Sequence, residues 1–432
     1  MERTRLFTFT IAILVFGLLA QSVQADVVPG DVIDKSNYQK IEGLVPDYIV
    51  TWVKNGDMTM KIGKLNFDPK KFWAQEVKDN WEANVGQYKI DENNGIIDVK
   101  TGKPARGIKG LPFPKPDVKD PKFPVMLMYN NIFEEYFIQG NVRGKAPWLS
   151  CTRKGFEKKL LMENYSLILD PAKSKQDYAQ LSVFREPFSM AGTGTLALYP
   201  LYPLVNGVRF AWAPQLRRVK RLSHRLSGAD VHFGFDAAPD DTWAGGPKTS
   251  FEEARYKFLG EKDALVPYFS KDPRMVHWNK KRTWIGIGNA STGFEVKPGY
   301  ETPGWTGAPW HITNVTWVKS KVYVVESTST VPNYVYGPCE GWIEKGTFKH
   351  VYKRNVDRSG KLWKGSYWVI EAIETPDGKY RMTCGNQVCV NMRRDHGELY
   401  PGPYRKGCFR QVMVQDMNEK LFTRAGFIKF SK

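Results

Sequence analysis

Short hydrophobic runs separated by turn signals fill the chain from about Cys151 onward. Several of the runs alternate apolar and polar side chains with period two, which is typical of strands with one buried and one wet face. No long helical pattern interrupts them, so they predict a large antiparallel sheet that curves towards an incomplete β-barrel. The runs cover residues 165–169, 180–184, 195–199, 208–213, 219–222, 282–287, 322–326, 348–353, 367–373, 380–384 and 422–429.

Residues 26–145 have a different pattern, with apolar side chains at helical spacing. One predicted helix begins at Pro46 and ends at Gly56, a second begins at Asp68, and a third amphipathic stretch covers 125–138. The Pro-rich segment 110–124 predicts an extended connector. We therefore expect an N-terminal helical and irregular lobe over 26–145 and a curved sheet domain over 146–432. The apolar positions of the first two helices are Tyr48, Ile49, Trp52 and Val53, then Phe72, Trp73, Val77 and Trp81.

The first 25 residues have the pattern of a cleavable secretory signal. Arg3 and Arg5 precede an apolar stretch over residues 6–19, and Ala25 is the small residue that signal peptidase accepts. The stretch is shorter than the roughly 20 residues of a membrane-spanning helix, although an uncleaved anchor is the alternative. Because the first cysteine is Cys151, a lipoprotein is not expected. We expect a periplasmic protein without a stable membrane span.

The net charge of +18, together with 13% aromatic residues, would suggest a nucleic-acid partner in a cytosolic protein. Export changes that interpretation. Outside the cytoplasm the anionic partners are lipid headgroups, lipopolysaccharide or acidic protein surfaces. We therefore expect no nucleic-acid partner.

One basic run in the sequence is denser than solubility requires. Guanidinium groups match phosphate and carboxylate geometry, so the run could dock lipid headgroups or an acidic protein partner. The alternative is a solvated strand edge, where basic side chains block aggregation. The run consists of Arg217, Arg218, Lys220, Arg221 and Arg225.

Aromatic and aliphatic residues of the predicted strands could line an apolar ligand site. A large curved sheet must fill its interior with a helix, a lobe or a ligand, and an apolar cavity uses the same residue types as a core. The sequence does not distinguish residues that line a cavity from residues that pack in a core. Within the predicted strand 282–287 we expect the isoleucines, not Trp284, on the inner face. The set is Phe184, Leu196, Leu198, Phe210, Trp212, Ile285, Ile287, Val322, Val324, Trp368 and Ile370.

Candidate chemistry is sparse, and no standard catalytic or nucleotide-binding motif occurs in the sequence. The richest patch contains Asp230, His232 and Asp236, which would share one face of a continuous strand. Carboxylates and an imidazole can bind a divalent cation, which makes this a weak candidate metal site. The alternative is a turn-rich loop with solvated side chains. We expect no cofactor and no enzymatic activity.

Five cysteines permit disulfides in an oxidising compartment, although a chain of this size does not need them. Cys384 and Cys389 could close a small loop, or Cys389 could reach Cys408. A zinc site is less well supported, because the spacing matches no standard pattern.

Short motifs spread over the chain from residue 32 onward resemble those of one bacterial family. On these motifs the chain resembles the domain of unknown function 1329 family, which is related to the LolA/LolB fold of outer-membrane lipoprotein sorting. In two places it departs from the commoner pattern, because Gly234-Phe235-Asp236 replaces an acidic pair and the last third holds four cysteines. The motifs are VIDKSNYQKIEGLVP at 32–46, GLPFP at 110–114, FREPFSMAGTGTLALYPLYP at 184–203, WAP at 212–214, LRRVKRL at 216–222, GADVHFGFD at 228–236, YKFLGEKD at 256–263, VYVVEST at 322–328 and VDRSGKLWK at 356–364.

The resemblance implies an incomplete, strongly curved antiparallel barrel whose apolar concavity shelters acyl chains or other lipids. It also implies partners in the envelope, namely an RND-type transporter and an outer-membrane protein. Together with the export signal, it leads to the hypothesis of a non-enzymatic periplasmic carrier of a lipid or other apolar ligand. Two alternatives remain: an adaptor that binds only proteins, and a metal-dependent hydrolase acting through the Asp230–His232–Asp236 patch.

Overall fold

The computed structural model describes residues 26–222, 235–242, 254–287, 296–378, 380–402 and 407–432, with the side chains of residues 239, 242, 380 and 382–385 excepted. In these ranges nineteen strands form one mixed sheet, and two more form a separate hairpin. The sheet is not closed into a barrel and is accompanied by few helices. The predicted fold class, mainly β with a large incomplete sheet, is confirmed. Across the described ranges, no helix has both the length and the apolar character needed to cross a membrane.

The helices and short strands of the N-terminal part precede the main run of strands. Helix α1 is amphipathic as predicted, and its four apolar positions are all buried. Pro46 stands just before α1 as its cap instead of within it, because its ψ of 153° is extended. The elements are β1 (Val32–Ile33), α1 (Asp47–Lys54), β2 (Met60–Gly63), α2 (Gln75–Asn84), β3 (Tyr88–Ile90), β4 (Ile96–Asp98) and α3 (Phe123–Ile132).

Helix α3 departs from the prediction of an amphipathic helix. All ten of its residues are buried, and a π-helical turn at Phe133–Phe137 continues it. A helix that is buried on every side is one enclosed by other elements. The ring of Phe123 packs edge-on against Phe258 at 4.8 Å and Tyr323 at 5.3 Å between centroids.

A meander of antiparallel strands follows α3, and each strand pairs with the next. Its connections alternate between the two ends of the strands, as in any up-and-down arrangement. The strands are β5 (Val142–Thr152), β6 (Gly155–Ile168), β7 (Tyr178–Glu186), β8 (Gly194–Tyr199), β9 (Val208–Ala213) and β10 (Arg218–Leu222).

The C-terminal half supplies the remaining strands and the last helix. The predicted strand at 422–429 is wrong, because Glu419–Phe422 forms a 3-10 turn and a helix follows, its first turn capped by the Thr423 side chain. The elements are β11 (Ala254–Tyr268), β12 (Arg274–Met275), β13 (His277–Trp278), β14 (Ile285–Gly286), β15 (Thr316–Ser329), β16 (Cys339–Glu344), β17 (His350–Val356), β18 (Leu362–Glu374), β19 (Tyr380–Asn391), β20 (His396–Tyr400), β21 (Phe409–Val412) and α4 (Arg424–Ser431).

Antiparallel pairs join most of the sheet into one continuous surface. Starting from β10, the order is β10-β9-β8-β7-β6-β5-β20-β19-β18-β17-β16-β15-β11. The end of β11 also pairs in parallel with β18, where Tyr268 lies opposite Ile370. Strand β5 also pairs with β21, which leads to β14 and β13. Parallel pairs add β2 beside β15 and β12 beside β18.

The two faces of the central sheet are covered differently. Because Glu398 pairs with Ser150 and Leu399 with Leu149, these two pairs lie on opposite faces. We call the face of Ser150 and Glu398 the front face and the other the back face. The back face packs on α1 and belongs to the largest apolar core. The front face packs on α3 at β15 and β16.

Candidate functional site

Residues 235–242 lie against the front face of the sheet and end in a 3-10 turn at Pro239–Thr242. We call these residues the crossing segment. The strands beneath it carry polar side chains where a front face would ordinarily be apolar. Paired residues along neighbouring strands, among them Lys364, Cys389 and Glu398, face the same side because the register aligns them.

Asp241 fixes the C-terminal end of the crossing segment. Its Oδ2 accepts hydrogen bonds from Lys364 Nζ at 2.6 Å and from the Ala238 N–H at 2.7 Å. Its Oδ1 accepts from Tyr336 Oη at 2.7 Å and from Asn355 Nδ2 at 2.6 Å. Four donors around one buried carboxylate compensate its removal from water.

Asp240 makes a second set of contacts on the neighbouring strands. Its Oδ2 accepts a hydrogen bond from Tyr334 Oη at 2.5 Å, and its carbonyl oxygen accepts one from Lys353 Nζ. Burial, with the charges of Asp240 and Asp241, raises the pKa of both Tyr334 and Tyr336 far above the ordinary value. Both phenols therefore remain protonated donors.

Asp236 fixes the other end of the crossing segment. Its carboxylate lies 2.8 Å from His396 Nδ1 and 2.7 Å from an Arg394 guanidinium nitrogen. The backbone N–H groups of Asp236 and Ala237 both donate to the Glu398 carboxylate, the latter at 2.8 Å. Burial acts to raise the pKa of Asp236, but His396, Arg394 and Lys364 outweigh it and hold the pKa below its ordinary value.

His396 lies between two carboxylates. Its Nε2 is 2.8 Å from Glu157 Oε2 and 2.9 Å from Ser150 Oγ, while Nδ1 faces Asp236. The hydrogen bond to Asp236 raises the pKa of His396, against the effect of burial. Burial also raises the pKa of Glu398 to about 7. The two carboxylates therefore favour the protonated form of the imidazole.

The contacts Ser150–His396–Asp236 follow the order of a serine hydrolase triad, but the Glu157 carboxylate beside His396 Nε2 departs from that arrangement. A general base must be unprotonated at the nitrogen that faces the nucleophile. Here both ring nitrogens face carboxylates, and Ser150 is fully buried. The arrangement instead ties the crossing segment to β5, β6 and β20.

A small apolar cluster lies where Phe235 meets the front face. Phe235 packs with the buried side chains of Leu160 and Phe184, and Lys158 Nζ lies 5.0 Å from the Phe235 ring centroid. We call this the Phe235 cluster. Unlike the back-face core, half of its members are only partly buried. Those members are Trp148, Met162 and Met190.

A family model described as "Protein of unknown function (DUF1329)" matches residues 32–397. The chain belongs to the DUF1329 family. This confirms the family that the sequence motifs indicated. The matched region includes every residue of the crossing segment and its partners except those beyond residue 397, such as Glu398. A search of curated protein sequences finds no match.

Several solved structures from bacteria are similar to the chain, at low sequence identity. A domain assigned to outer membrane lipoprotein sorting, from Vibrio parahaemolyticus, is 14% identical with a TM-score of 0.47, covering 72% of this chain and 100% of its own. A DUF1329 protein from Desulfovibrio piger is 14% identical with a TM-score of 0.42, covering 67% and 91%. A LolA superfamily protein from Nitrosomonas europaea is 12% identical with a TM-score of 0.38, covering 69% and 96%.

The apolar residues predicted to line one ligand site are divided among separate clusters in the structure. Phe184 alone belongs to the Phe235 cluster. Ile285 and Ile287 are both buried, as expected, in a cluster at β14 and β21. The ring centroids of Trp368 and His350 lie 4.0 Å apart, with the ring planes tilted by 51°. The others pack beside α4 (Leu196, Leu198, Phe210 and Trp212) or in the back-face core (Val322, Val324 and Ile370).

The basic and acidic residues predicted to form binding sites also lie in different parts of the structure. The side chains of Arg217, Arg218, Lys220 and Arg221 are exposed at β10, whereas Arg225 lies outside the described residues. Asp230 and His232 lie outside them too, so only Asp236 of the predicted metal patch can be placed. Within the described ranges, no group of three or more histidine, cysteine or acidic side chains is arranged to hold a metal ion.

The predicted loop between Cys384 and Cys389 is wrong. Both residues lie in β19, where five residues of strand separate them by about 16 Å, at ~3.3 Å per residue. A disulfide needs Cα atoms within roughly 7 Å. Cys389 is a buried free thiol, so its proposed pairing with Cys408 is not formed either. Cys408 is half-buried, and the side chain of Cys384 is among those not described.

The sequence contained a signal for the residues that we missed. In HGELY, period-two alternation places His396 and Glu398 on one face of a strand. Two ionisable side chains on a buried face require partners. The spacing could not supply those partners, because Glu157 and Asp236 are more than 150 residues away in sequence.

Proposed function

We propose that this protein is a non-enzymatic periplasmic carrier of a lipid or other apolar ligand, and that an acyl chain takes the place of Phe235 in the Phe235 cluster. One observation carries the proposal. A short segment covers an apolar patch on the front face, yet the segment is held mainly by polar contacts at its two ends. Such a cover can leave the apolar patch without opening the back-face core.

The composition of the Phe235 cluster supports this role. Met162 and Met190 are flexible and adapt to apolar groups of different shape. Each methylene of a chain that enters the cluster would contribute about 0.8 kcal/mol by leaving water. The three partly buried members offer a route by which a chain could enter from the surface.

The envelope setting rests on the sequence. The predicted secretory signal supports a periplasmic location for the mature chain, and the family resemblance implies an RND-type transporter and an outer-membrane protein as partners. The exposed basic run at β10 is available to bind headgroups or an acidic protein surface.

Ligand uptake tests the proposal. The protein is purified from periplasm, its mass is measured under native conditions, and it is titrated with a fluorescent fatty acid. We expect a co-purified lipid and saturable uptake, which Met162→Asp should abolish because a charge would enter the cluster. Phe156→Ala, at a half-exposed aromatic outside the cluster, is the matched control.

An apo mass together with absent uptake would overturn the carrier proposal and favour the adaptor that binds only proteins. Uptake that persists in Met162→Asp would place the ligand elsewhere in the molecule.

A further inference from the structure

Two turns of the meander lie together at one end of its strands. Strand β7 runs towards this end, β8 runs away from it and β9 returns, so the β7–β8 and β9–β10 turns are neighbours. A hydrogen bond from Gln215 Nε2 to the Ser189 carbonyl oxygen, at 2.9 Å, joins them. Pro214 also packs beside Gly192, where an added Cβ would lie 3.0 Å from the proline ring.

Each of these turns presents a large apolar side chain to solvent. Phe188 is 96% exposed and Leu216 is 70% exposed. A phenylalanine that retains nearly all its surface contributes nothing to the core of its own fold. Its exposure to water is unfavourable by roughly 25 cal/mol for each Å² of apolar surface. We call the two turns the Phe188–Leu216 tip.

Basic side chains continue from the tip along the edge of the sheet. Arg217 and Arg218 follow Leu216 directly, and Lys220 and Arg221 follow in β10. All four are exposed. The acidic residue closest in sequence to Phe188 is Glu186, whose carboxylate is paired with Lys159 at 2.5 Å.

We propose that the Phe188–Leu216 tip docks on an anionic phospholipid bilayer, with the two apolar side chains entering the headgroup–acyl boundary and the basic edge contacting phosphates. Apolar side chains that project beside Lys and Arg are the pattern of interfacial membrane binding. Long basic side chains also keep their charges at the headgroup level while their stems lie along apolar surface. An acidic protein partner would explain the basic side chains. It would not explain why two apolar side chains project beside them.

This inference deepens the docking role proposed above for the basic run, and it does not depend on carriage of a ligand. A carrier that exchanges lipid with a bilayer needs contact with that bilayer. Vesicle binding measures docking, whereas native mass and fatty-acid uptake measure carriage, so the two proposals fail separately.

The test is flotation of the full mature chain with vesicles of phosphatidylcholine containing 30% phosphatidylglycerol, and with vesicles of phosphatidylcholine alone. We expect binding to the anionic vesicles that falls as salt is added. Phe188→Ser/Leu216→Ser should weaken it at least about tenfold, because the inserted apolar surface is lost. Arg218→Glu/Lys220→Glu should weaken it more than about twentyfold, at roughly fivefold for each basic residue removed.

Matched variants lie elsewhere on the sheet. Leu204 is 58% exposed in the β8–β9 turn at the opposite end of the same strands, so Leu204→Ser should leave flotation unchanged. Lys280→Glu/Lys281→Glu alters two exposed lysines near β14. Thermal unfolding confirms that every variant is folded.

Absence of flotation by the native chain would overturn the proposal, as would equal loss in the tip and control variants. Binding that depends on charge but not on Phe188 and Leu216 would also overturn it, because it would reduce the tip to a basic surface.

Discussion

The Nζ atom of Lys364 lies 2.6 Å from Oδ2 of Asp241, and both side chains are buried between β18 and the crossing segment. Desolvation acts to lower the pKa of Lys364, but the Asp241 carboxylate outweighs it and raises the pKa. The lysine therefore stays charged. This pair connects β18, at a residue before the predicted strand 367–373, with the crossing segment.

Removing one member of this pair should be more harmful than removing both. Lys364→Met leaves Asp241 buried without its cation, and we expect a loss of about 3–5 kcal/mol in the free energy of unfolding. Lys364→Met/Asp241→Leu replaces both charges by apolar groups and should recover part of that loss. Urea titration measures each value.

The control for this pair is Lys345→Met, which removes a lysine paired with Glu261 at 2.7 Å on the surface. An exposed pair contributes only about 0–1 kcal/mol, so this variant should be nearly neutral. A Lys364→Met variant as stable as Lys345→Met would show that the crossing segment is not held by its buried charges.

The contacts at Asp236 predict that stability falls as pH rises through neutrality. The raised pKa of His396 means that the folded chain retains a proton which the unfolded chain loses near pH 6.5. Glu398 acts in the same direction, because the folded chain keeps its carboxyl protonated from the ordinary pKa of 4.5 up to about 7. Both contributions are complete at low pH and lost as pH rises through the folded values.

The carboxylates of Asp236 and Glu157 have lowered pKa values and act in the opposite direction. Their contribution is complete above about pH 4.5 and is lost as pH falls through the folded values. The segment should therefore be held most firmly near pH 4.5, where the carboxylate contribution is complete and the loss from Glu398 begins. Arg394 and Lys364 also face this group.

Denaturant titration between pH 5.5 and 8 measures the effect. We expect a decrease of about 2 kcal/mol from Glu398, because its slope of ~1.4 kcal/mol per pH unit acts from pH 5.5 up to its folded pKa of about 7. Glu398→Gln should remove most of this slope, and His396→Gln a further part, whereas His277→Gln at an exposed position should not. A slope that is the same in all four proteins would contradict the assignment.

Much of the fold was readable from local pattern, and the crossing segment was not. The four apolar residues of α1 share one face at 3.6-residue spacing, so their burial followed from sequence. The contacts of Asp236 and Asp241 depend on strands more than 90 residues away, and no periodicity reports such pairing. Burial of lysines on the front face also contradicts the usual preference of that residue for solvent.

The division of the predicted apolar residues among several clusters was not readable from the sequence for a related reason. Alternation shows which residues of a strand share a face, but it does not show which other elements pack on that face. Val324 and Phe184 both lie in predicted strands, yet one contacts the back-face core and the other the Phe235 cluster. The predicted strand at 422–429 failed because aromatic residues are typical of strands, whereas Thr423 here caps a helix.

The contact of Gly397 with Trp310 predicts that a larger side chain at this position on the back face destabilises the protein. A Cβ atom added at Gly397 would lie 2.1 Å from Cγ of the buried Trp310 ring. Gly397→Ala should therefore destabilise the protein by about 1–3 kcal/mol, as overpacking of a core does. Its effect should be smaller in a Trp310→Leu background, which a double-mutant cycle measures. Additive effects would show that the two residues are not in contact.

Phe235→Ala distinguishes the contribution of Phe235 to stability from its proposed role of occupying the ligand position. Phe235 is 3% exposed, and loss of its ring should lower the free energy of unfolding by about 3 kcal/mol through lost burial and a residual cavity. If an acyl chain must displace this ring, the native affinity includes the free energy needed to expel it. The variant should therefore bind the fluorescent fatty acid several-fold more tightly although it is less stable. Phe156→Ala should alter neither quantity appreciably. Weaker or unchanged uptake by Phe235→Ala, measured under conditions where it is fully folded, would mean that the ligand does not occupy the position of the Phe235 ring.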